Sequence, residues 1–132
     1  MAAIEGKIAI ITGGGGGIGG AIALRYAREG AKLALADIVP DTAKSRALEI
    51  NTMGCDALAI ITDVTSKKSV QQMVQTTLER WGRIDILVNV AGGADRKPVL
   101  ETTEADWDHI IDMNLKSVFL CCQAVLPVML KQ

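Results

Sequence analysis

A run of glycines near the start of the chain has the composition and spacing of a phosphate-binding turn. The run Gly13–Gly17 leads into Ile18 and Gly19, with the apolar stretch Lys7–Ile11 before it and a helical pattern after it. Strand, glycine turn and helix in this order form the context of a dinucleotide-binding loop. Glycine lets the backbone approach a pyrophosphate, and the helix N-terminus offers unbonded N–H groups and a positive dipole end. The segment therefore predicts a dinucleotide site.

The spacing of the glycines leaves the register of this loop open, because two sets satisfy G-x-G-x-x-G: Gly14, Gly16 and Gly19, or Gly15, Gly17 and Gly20. The more specific pattern TGxxxGIG begins at Thr12 and leaves three free positions before its last three residues. In this pattern the sequence resembles the short-chain dehydrogenase/reductase family. The resemblance implies an α/β fold and a nicotinamide dinucleotide held at four positions of the loop: Gly13, Gly17, Ile18 and Gly19.

An aspartate follows the second apolar run of the chain. Asp37 comes directly after Lys32–Ala36, where an acidic side chain can accept hydrogen bonds from the adenosine ribose hydroxyls. Its charge would repel a 2′-phosphate, and neither the glycine loop nor Ile38-Val39 supplies a cation to bind one. The sequence therefore predicts NAD rather than NADP, with a solvated aspartate at a strand end as the alternative.

A second aspartate, Asp63, follows the third apolar run and precedes Val64. In the family that this chain resembles, a matching Asp-Val contacts the adenine ring. A carboxylate there could accept from an exocyclic amine while valine packs on the ring. The same dipeptide also fits a helix-capping turn before Thr65-Ser66, and the sequence leaves both interpretations open.

The segment Asn89-Val90-Ala91-Gly92 resembles the family's NNAG motif, with valine at its second position. The resemblance implies that Asn89 braces the sheet and that Ala91 and Gly92 let the nicotinamide ribose pass close to the backbone. An ordinary turn between strand and loop is the alternative.

Asn114 matches the helix asparagine that, in complete members of the family, helps to hold a water for proton relay. Without the family, it is a poor helix former that needs a hydrogen-bond partner if it is buried. The family's other catalytic groups are a serine, a tyrosine and a lysine four residues beyond the tyrosine. The single tyrosine, Tyr26, has Gly30 at that position. We therefore expect a chain that binds NAD(H), resembles the front half of an alcohol/ketone oxidoreductase, and is inactive by itself.

Four apolar runs alternate with helical patterns and predict parallel strands at Lys7–Ile11, Lys32–Ala36, Ala57–Ile61 and Ile84–Val88. The expected fold is a single α/β domain over residues 1–132, a Rossmann-type parallel sheet of order 3-2-1-4 with flanking helices, truncated before the fifth strand. Helices are predicted from about Gly17 to Glu29, from after Pro40-Asp41 to a stop at Gly54, from about Ser66 to Arg80, and from an N-cap at Thr103 with Asp106 three residues on.

Composition argues against several other classes of protein. The net charge of −1 and the scattered cations argue against nucleic-acid binding. No uninterrupted apolar run reaches the ~18 residues of a membrane span, so we expect a cytoplasmic chain without a membrane partner. The three cysteines, at positions 55, 121 and 122, are expected to be reduced core residues. His109 is expected on the surface, and no metal site is predicted.

Two further functional alternatives and one assembly follow from the sequence. A non-catalytic nucleotide-binding or dimerising module would keep the same loop. A methyltransferase would also use a glycine turn and an acidic residue, although Thr12 and the segment 89–92 argue against S-adenosylmethionine.

The fourth strand would form an open edge, and the last helix carries an apolar stripe, so a homodimer is predicted. The residues of the stripe are Trp107, Ile111, Leu115, Val118, Phe119 and Cys122.

Overall fold

A computed structural model describes residues 3–132 and contains one four-stranded parallel sheet. The strands are β1 (Ile8–Thr12), β2 (Lys32–Asp37), β3 (Ala57–Ile61) and β4 (Ile86–Asn89), in the order β3-β2-β1-β4. At the centre of the sheet, Ile10 lies between Ala34 of β2 and Leu87 of β4. The predicted order and parallel direction are confirmed, with strand ends that differ from the predicted ones by at most two residues.

Helices cover both faces of the sheet. On one face, α1 (Gly17–Arg28) and α2 (Pro40–Thr52) pack small residues such as Ala23 and Ala47 against β1 and β2. On the other face, α3 (Lys67–Trp81) packs Val70 and Met73 against the same strands. Because β1 and β2 are enclosed on both faces, their sequences are nearly continuous apolar runs.

The last third of the chain forms one long, interrupted helix. After a 3-10 turn at Val99–Glu101, α4 spans Glu104–Ile111, a π-helical segment spans Asp112–Lys116, and α5 spans Ser117–Leu130. Thr103 is the N-cap of α4, and its hydroxyl accepts from the Asp106 N–H while the Asp106 carboxylate accepts from the Thr103 N–H. The predicted capping box is confirmed. The π-helical segment was not predicted.

The face of α5 that packs on the sheet differs from the predicted apolar stripe. Leu120, Cys121 and Val125 are buried against the core, and burial raises the pKa of the Cys121 thiol to about 11. Phe119 remains 59% exposed. Other large members of the predicted stripe, together with apolar residues of α5 and the 3-10 turn, are also exposed: Val99, Leu100, Trp107, Leu115, Leu126 and Leu130. The buried and exposed sides of this helix are therefore both apolar, which a single stripe did not anticipate.

By length and composition, the helix Glu104–Leu130 is apolar enough to cross a membrane, with a mean hydropathy of 1.5 over its most apolar window. The sequence contains no uninterrupted apolar run of that length, and the expectation of a chain without a membrane partner stays a prediction. In this fold the helix packs against α3 and β4. One side of the helix packs on the core, and its exposed side is also apolar.

The strand β4 begins two residues later than predicted, and just before it the backbone of Ile84 is bonded to a side chain. The amide of Gln132 donates to the Ile84 carbonyl at 2.8 Å and accepts from the Ile84 N–H at 3.1 Å. The next residue, Asp85, donates its N–H to the Ile8 carbonyl, so the backbone groups of Ile84 point to the opposite, outer edge. Within residues 3–132, no strand pairs with that edge.

Candidate functional site

A cleft of about 610 Å³ opens at the carboxyl ends of the strands. This is the edge at which open α/β sheets bind ligands. Most of the site residues predicted from the sequence line it: Gly13, Gly17, Ile18, Gly19, Asp37, Asp63, Val64, Ala91 and Gly92. Asn89 and Asn114 lie next to this lining and not in it. Four separate segments of the chain are thus brought together in one cleft.

The glycine loop is closed tightly by its own backbone and by the turn after β4. Gly13 has a φ of +65°, which favours glycine, and a Cβ there would stand 3.1 Å from the Ala91 nitrogen. A Cβ at Gly19 would overlap the Gly13 carbonyl oxygen. By contrast, a Cβ at Gly17 would meet nothing within 4 Å. These contacts require glycine at positions 13 and 19 and leave open space at Gly17, where a ligand could approach the backbone.

The three positions between Gly13 and Gly17 are not all free, which corrects the expectation from the motif. A Cβ at Gly14 would lie 2.8 Å from the Ile11 carbonyl oxygen, and one at Gly15 would lie 2.6 Å from the Ala43 nitrogen. Only Gly16 could carry a Cβ at an ordinary contact distance, 3.4 Å from the nearest atom. The glycine run is therefore required by packing against β1, β2 and α2 as well as by the ligand side of the loop.

The N-terminus of α1 faces the cleft and suits an anionic group. Its N-cap is Gly16, which has no side chain to bond the first N–H groups, and its first turn carries no acidic residue. The N–H groups of the first three helical residues have no partner within the helix. Together with the positive end of the helix dipole, they fit the pyrophosphate of a dinucleotide.

Thr12 joins the glycine loop to the turn after β4. Its side chain is buried, and its hydroxyl oxygen accepts from the Val90 N–H at 3.1 Å and from the Ala91 N–H at 3.2 Å. These bonds hold the 89–92 segment over Gly13. The sequence marked Thr12 only as the start of the motif, and its role as a clamp between β1 and β4 depends on a pairing that is distant in sequence.

The carboxylate of Asp37 is held by two backbone amides. The Gly15 N–H donates to Oδ2 and the Val39 N–H donates to Oδ1, each at 3.0 Å. A carboxylate has about four lone-pair sites, so both oxygens keep capacity to accept from hydroxyl groups. Among residues 3–132, no lysine or arginine lines the cleft. Within the described residues, the Asp37 carboxylate therefore has no cation of the cleft lining beside it.

Asp63 forms the capping turn that the sequence offered as an alternative, and it also lines the cleft. Its Oδ1 accepts from the N–H and from the hydroxyl of Thr65, at 2.9 and 2.7 Å. Ser66 then serves as the N-cap of α3. Val64 is buried against the core and has an atom in the cleft wall. The turn fixes the position of this segment and does not exclude contact with a ligand.

Asn114 lies in the π-helical segment and ties it to the loop after β4. Its Oδ1 accepts from the Gly93 N–H at 3.2 Å, while its Nδ2 donates to the Gly93 carbonyl at 2.8 Å and to the Ile110 carbonyl at 2.9 Å. The residue is exposed, yet its side-chain amide has three partners. π-helical turns are frequent at functional sites because they reposition a side chain. The bonds to Gly93 place Asn114 beside the cleft.

Asn89 contacts the last helix: its Nδ2 lies 3.7 Å from the Cys122 sulfur. The contact links the end of β4 to α5, in keeping with a bracing role. The three thiols are free.

Several lining residues were not identified from the sequence: Ala36, Ile38, Thr62, Thr65, Val90, His109 and Met113. Most of them neighbour predicted site residues, so their positions at strand ends were the available signal. His109 and Met113 come from the helix across the cleft. His109 is exposed, as predicted, but it also reaches the cleft, which a surface assignment did not anticipate. Within residues 3–132, no group of three His, Cys, Asp or Glu side chains could hold a metal ion.

Comparisons with known proteins agree with this geometry. The family model described as short chain dehydrogenase matches residues 7–132. A sorbitol dehydrogenase from Cereibacter sphaeroides is 42% identical over 127 residues, which are 96% of this chain and 48% of that protein. A 3-oxoacyl-[acyl-carrier-protein] reductase from Thermotoga maritima is 36% identical over 129 residues, which are 98% of this chain and 52% of that protein.

Solved structures show the same likeness. The hydroxysteroid dehydrogenase from Escherichia coli superposes with a TM-score of 0.93 at 38% identity, over 97% of this chain and 54% of that one. A dehydrogenase/reductase from Sinorhizobium meliloti 1021 gives 0.93 at 36% identity, over 97% and 51%. The chain spans about half the length of the relatives it matches. The family match favours the dehydrogenase interpretation over the methyltransferase alternative. The chain belongs to the short-chain dehydrogenase/reductase family.

Proposed function

We propose that this chain forms the NAD(H) site of an oxidoreductase that interconverts an alcohol and a ketone. The observation that carries the proposal is the cleft in which the α1 N-terminus, the bare backbone at Gly17 and the Asp37 carboxylate face the same space. A bound nicotinamide would accept or donate hydride. The chain's own residues would hold the pyrophosphate at the α1 N-terminus and the adenosine ribose at Asp37.

We propose further that the site prefers NAD to NADP. Support comes from the two carboxylates in the cleft wall, Asp37 and Asp63, and from the lack of a lysine or arginine among the described residues that line it. A 2′-phosphate beside Asp37 would place two anions close together without a cation between them, which is costly in a partly buried site.

Fluorescence titration with NADH and NADPH tests this proposal. The unmodified chain should bind NADH more tightly, and Asp37→Ala should narrow the difference between the two nucleotides by about tenfold, because a charge-assisted bond to the ribose is lost along with the repulsion. Asp41→Ala is the matched control, since Asp41 is an exposed carboxylate on α2 outside the cleft lining. Equal affinities for the two nucleotides in the unmodified chain would contradict the NAD preference.

We also propose that the chain alone does not turn over alcohols or ketones. Its only tyrosine, Tyr26, packs beside the core cluster of α1 and α2 and is not part of the cleft lining. Among the family's catalytic groups, Asn114 is the one that this chain matches. A steady-state assay of the purified chain with a panel of secondary alcohols should give no NADH formation above background. Activity that persists through further purification would contradict the proposal.

For assembly, we propose that two copies associate through the outer edge of β4 and the exposed side of α5. The backbone groups of Ile86 point to that edge, as those of Ile84 do, and the adjacent helix exposes Phe119 and Leu126. An open strand edge beside an exposed apolar surface favours pairing with an identical surface in a symmetric dimer.

A further inference from the structure

Gly15 lies behind the cleft and faces α2. It does not line the cleft, unlike Gly13, Gly16 and Gly17 on either side of it. A Cβ built on Gly15 would stand 2.6 Å from the Ala43 nitrogen and 2.7 Å from the Thr42 carbonyl carbon. Both are backbone atoms of the first turn of α2, so they cannot move aside without shifting the helix. The loop therefore touches α2 directly at this residue.

The same glycine donates the hydrogen bond that orients Asp37. Its N–H reaches Oδ2 of Asp37 at 3.0 Å, while Oδ1 accepts from Val39, which is the N-cap of α2. Two amides from opposite sides thus fix the plane of the carboxylate. One of them belongs to the glycine loop and the other to the start of α2, and the contact between Gly15 and α2 sets the distance between them.

We propose that Gly15 is a positioning residue for discrimination between NAD and NADP, acting through the orientation of Asp37. The inference rests on the proposed function, in which Asp37 accepts from the ribose hydroxyls. Because each oxygen of the carboxylate accepts from one amide, its remaining lone pairs can accept from the two adjacent hydroxyls of the ribose. Its charge would repel a 2′-phosphate at the same place. A carboxylate released from Gly15 can rotate about its terminal torsion. It then accepts less well from the ribose hydroxyls and repels a 2′-phosphate less strongly.

A substitution that adds one methyl group tests the inference. In Gly15→Ala the new Cβ conflicts with the α2 backbone, so the loop or the helix must move and the bond to Asp37 is lost. We expect the ratio of NADPH to NADH dissociation constants to fall by about threefold, less than in Asp37→Ala, because the charge of Asp37 remains. In the double variant, Gly15→Ala should cause no further fall, because two residues that act through one bond are not additive.

Gly20→Ala is the matched control. Gly20 lies outside the cleft lining, and its added Cβ would meet the Arg46 side chain, with the nearest atom, Nε, at 2.8 Å. This variant disturbs a neighbouring contact, between α1 and α2, through a side chain that can move, and leaves the bond from Gly15 to Asp37 in place. The nucleotide ratio should be unchanged even if the melting temperature falls. A similar fall of the ratio in Gly20→Ala, or additive effects of Gly15→Ala and Asp37→Ala, would overturn the inference.

Amide exchange at Gly15, followed by NMR, tests the same bond without altering Gly15. The Gly15 N–H should be protected in the unmodified chain and should lose protection by about tenfold or more in Asp37→Ala, with the Gly20 N–H unaffected. Unchanged protection at Gly15 would overturn the inference even if Gly15→Ala fails to fold. If the unmodified chain binds neither nucleotide, the proposed function fails, and this inference, which rests on it, fails as well. If the chain prefers NADH but Gly15 shows no coupling to Asp37, only this inference fails.

Discussion

The region around β1 and β2 and the region around β4 and α5 are both rich in apolar residues but differ in how they are enclosed. β1 is buried at every position, whereas β4 is half-buried at Ile86, Leu87 and Val88 and exposed at Asn89. In the first region helices enclose both faces of the strands, with small residues of α1 and α2 on one face and Val70 and Met73 of α3 on the other. In the second, polar side chains provide much of the connection between elements, as Gln132 does at Ile84 and Asn114 at Gly93.

This difference in enclosure separates dinucleotide binding from proton relay, the two parts of the proposed chemistry. The groups that would hold the dinucleotide are fixed by contacts among backbone atoms, as at Gly13 against Ala91 and at Gly15 against Ala43. Asn114, to which the family resemblance assigns a part in proton relay, stands in a π-helical turn whose helix leaves large apolar side chains exposed. Cofactor binding is thus the function for which this chain is best organised.

The largest expected effect is on the free energy of unfolding, compared between two residues that pair in register, one in each region. Ile10 of β1 is fully buried, and Leu87 of β4 is only partly so. Ile10→Ala should lower the free energy of unfolding by about 2–5 kcal/mol, and Leu87→Ala by less, because a partly buried side chain leaves a smaller cavity. Urea unfolding of both variants measures the difference. Equal losses would show that β4 is as well packed as β1.

The sequence predicted the first region better than the second, and for a physical reason. Continuous apolar runs and glycine stops mark buried strands and helix ends locally, so β3 was predicted with its observed limits and the Thr103 cap with its partner Asp106. The π-helical turn depends on Gly93, which is distant in sequence from Asn114. The backbone of Ile84, just before β4, is likewise bonded to Gln132, which is distant in sequence. Neither pairing has a local signature.

The candidate site was predictable where it follows strand ends and less so elsewhere. Asp37 and Asp63 could be found because each follows an apolar run, and the glycines because of their spacing. His109 and Met113 reach the cleft from the helix opposite, and this placement requires the tertiary structure. The requirement for glycine at positions 14 and 15 also emerges only when β1, β2 and α2 are packed around the loop.

The next effect concerns Thr12, which joins the two regions. Thr12→Val removes an acceptor for two N–H groups, and those groups are then left without a partner near the cleft, so we expect a loss of about 1–3 kcal/mol and weaker NADH binding. Thr77→Val is a matched control, because that equally buried hydroxyl donates only to the Met73 carbonyl of its own helix and lies outside the cleft lining. Denaturant unfolding and NADH titration distinguish the two. A larger loss in Thr77→Val would contradict the clamp.

A smaller effect is expected on self-association. Phe119→Lys places a charge on the exposed side of α5 and should raise the dissociation constant of the proposed dimer by about tenfold. Leu48→Lys makes the same change at an exposed leucine of α2, on the opposite face of the sheet, and should leave association unchanged. Light scattering over a concentration series measures both. A chain that stays monomeric throughout, or equal effects of the two variants, would contradict an interface on α5.

The smallest expected effect is a loss of stability at the N-terminus of α4 in acid. Lys97, 2.8 Å from Asp106, and the two bonds of the capping box together lower the pKa of the Asp106 carboxyl from 3.8 to about 2. Because this pKa is lower in the folded chain, the contribution to stability is fully present above about pH 4 and is lost as the pH falls through about 2. Amide exchange at the N-terminus of α4 should therefore accelerate over that range.

Removing the lysine separates its contribution from that of the cap. In Lys97→Met the pKa of Asp106 should rise toward its ordinary value while the bonds to Thr103 remain, so the acceleration of exchange at the α4 N-terminus should begin at a higher pH. Lys116→Met is the control, because its ammonium pairs with Asp112 at 3.5 Å in the π-helical segment. Since both ion pairs are exposed, their effects on overall stability should be slight. An unchanged pH profile in Lys97→Met would show that the capping box alone stabilises the ionised carboxylate, and that α4 starts independently of the loop that precedes it.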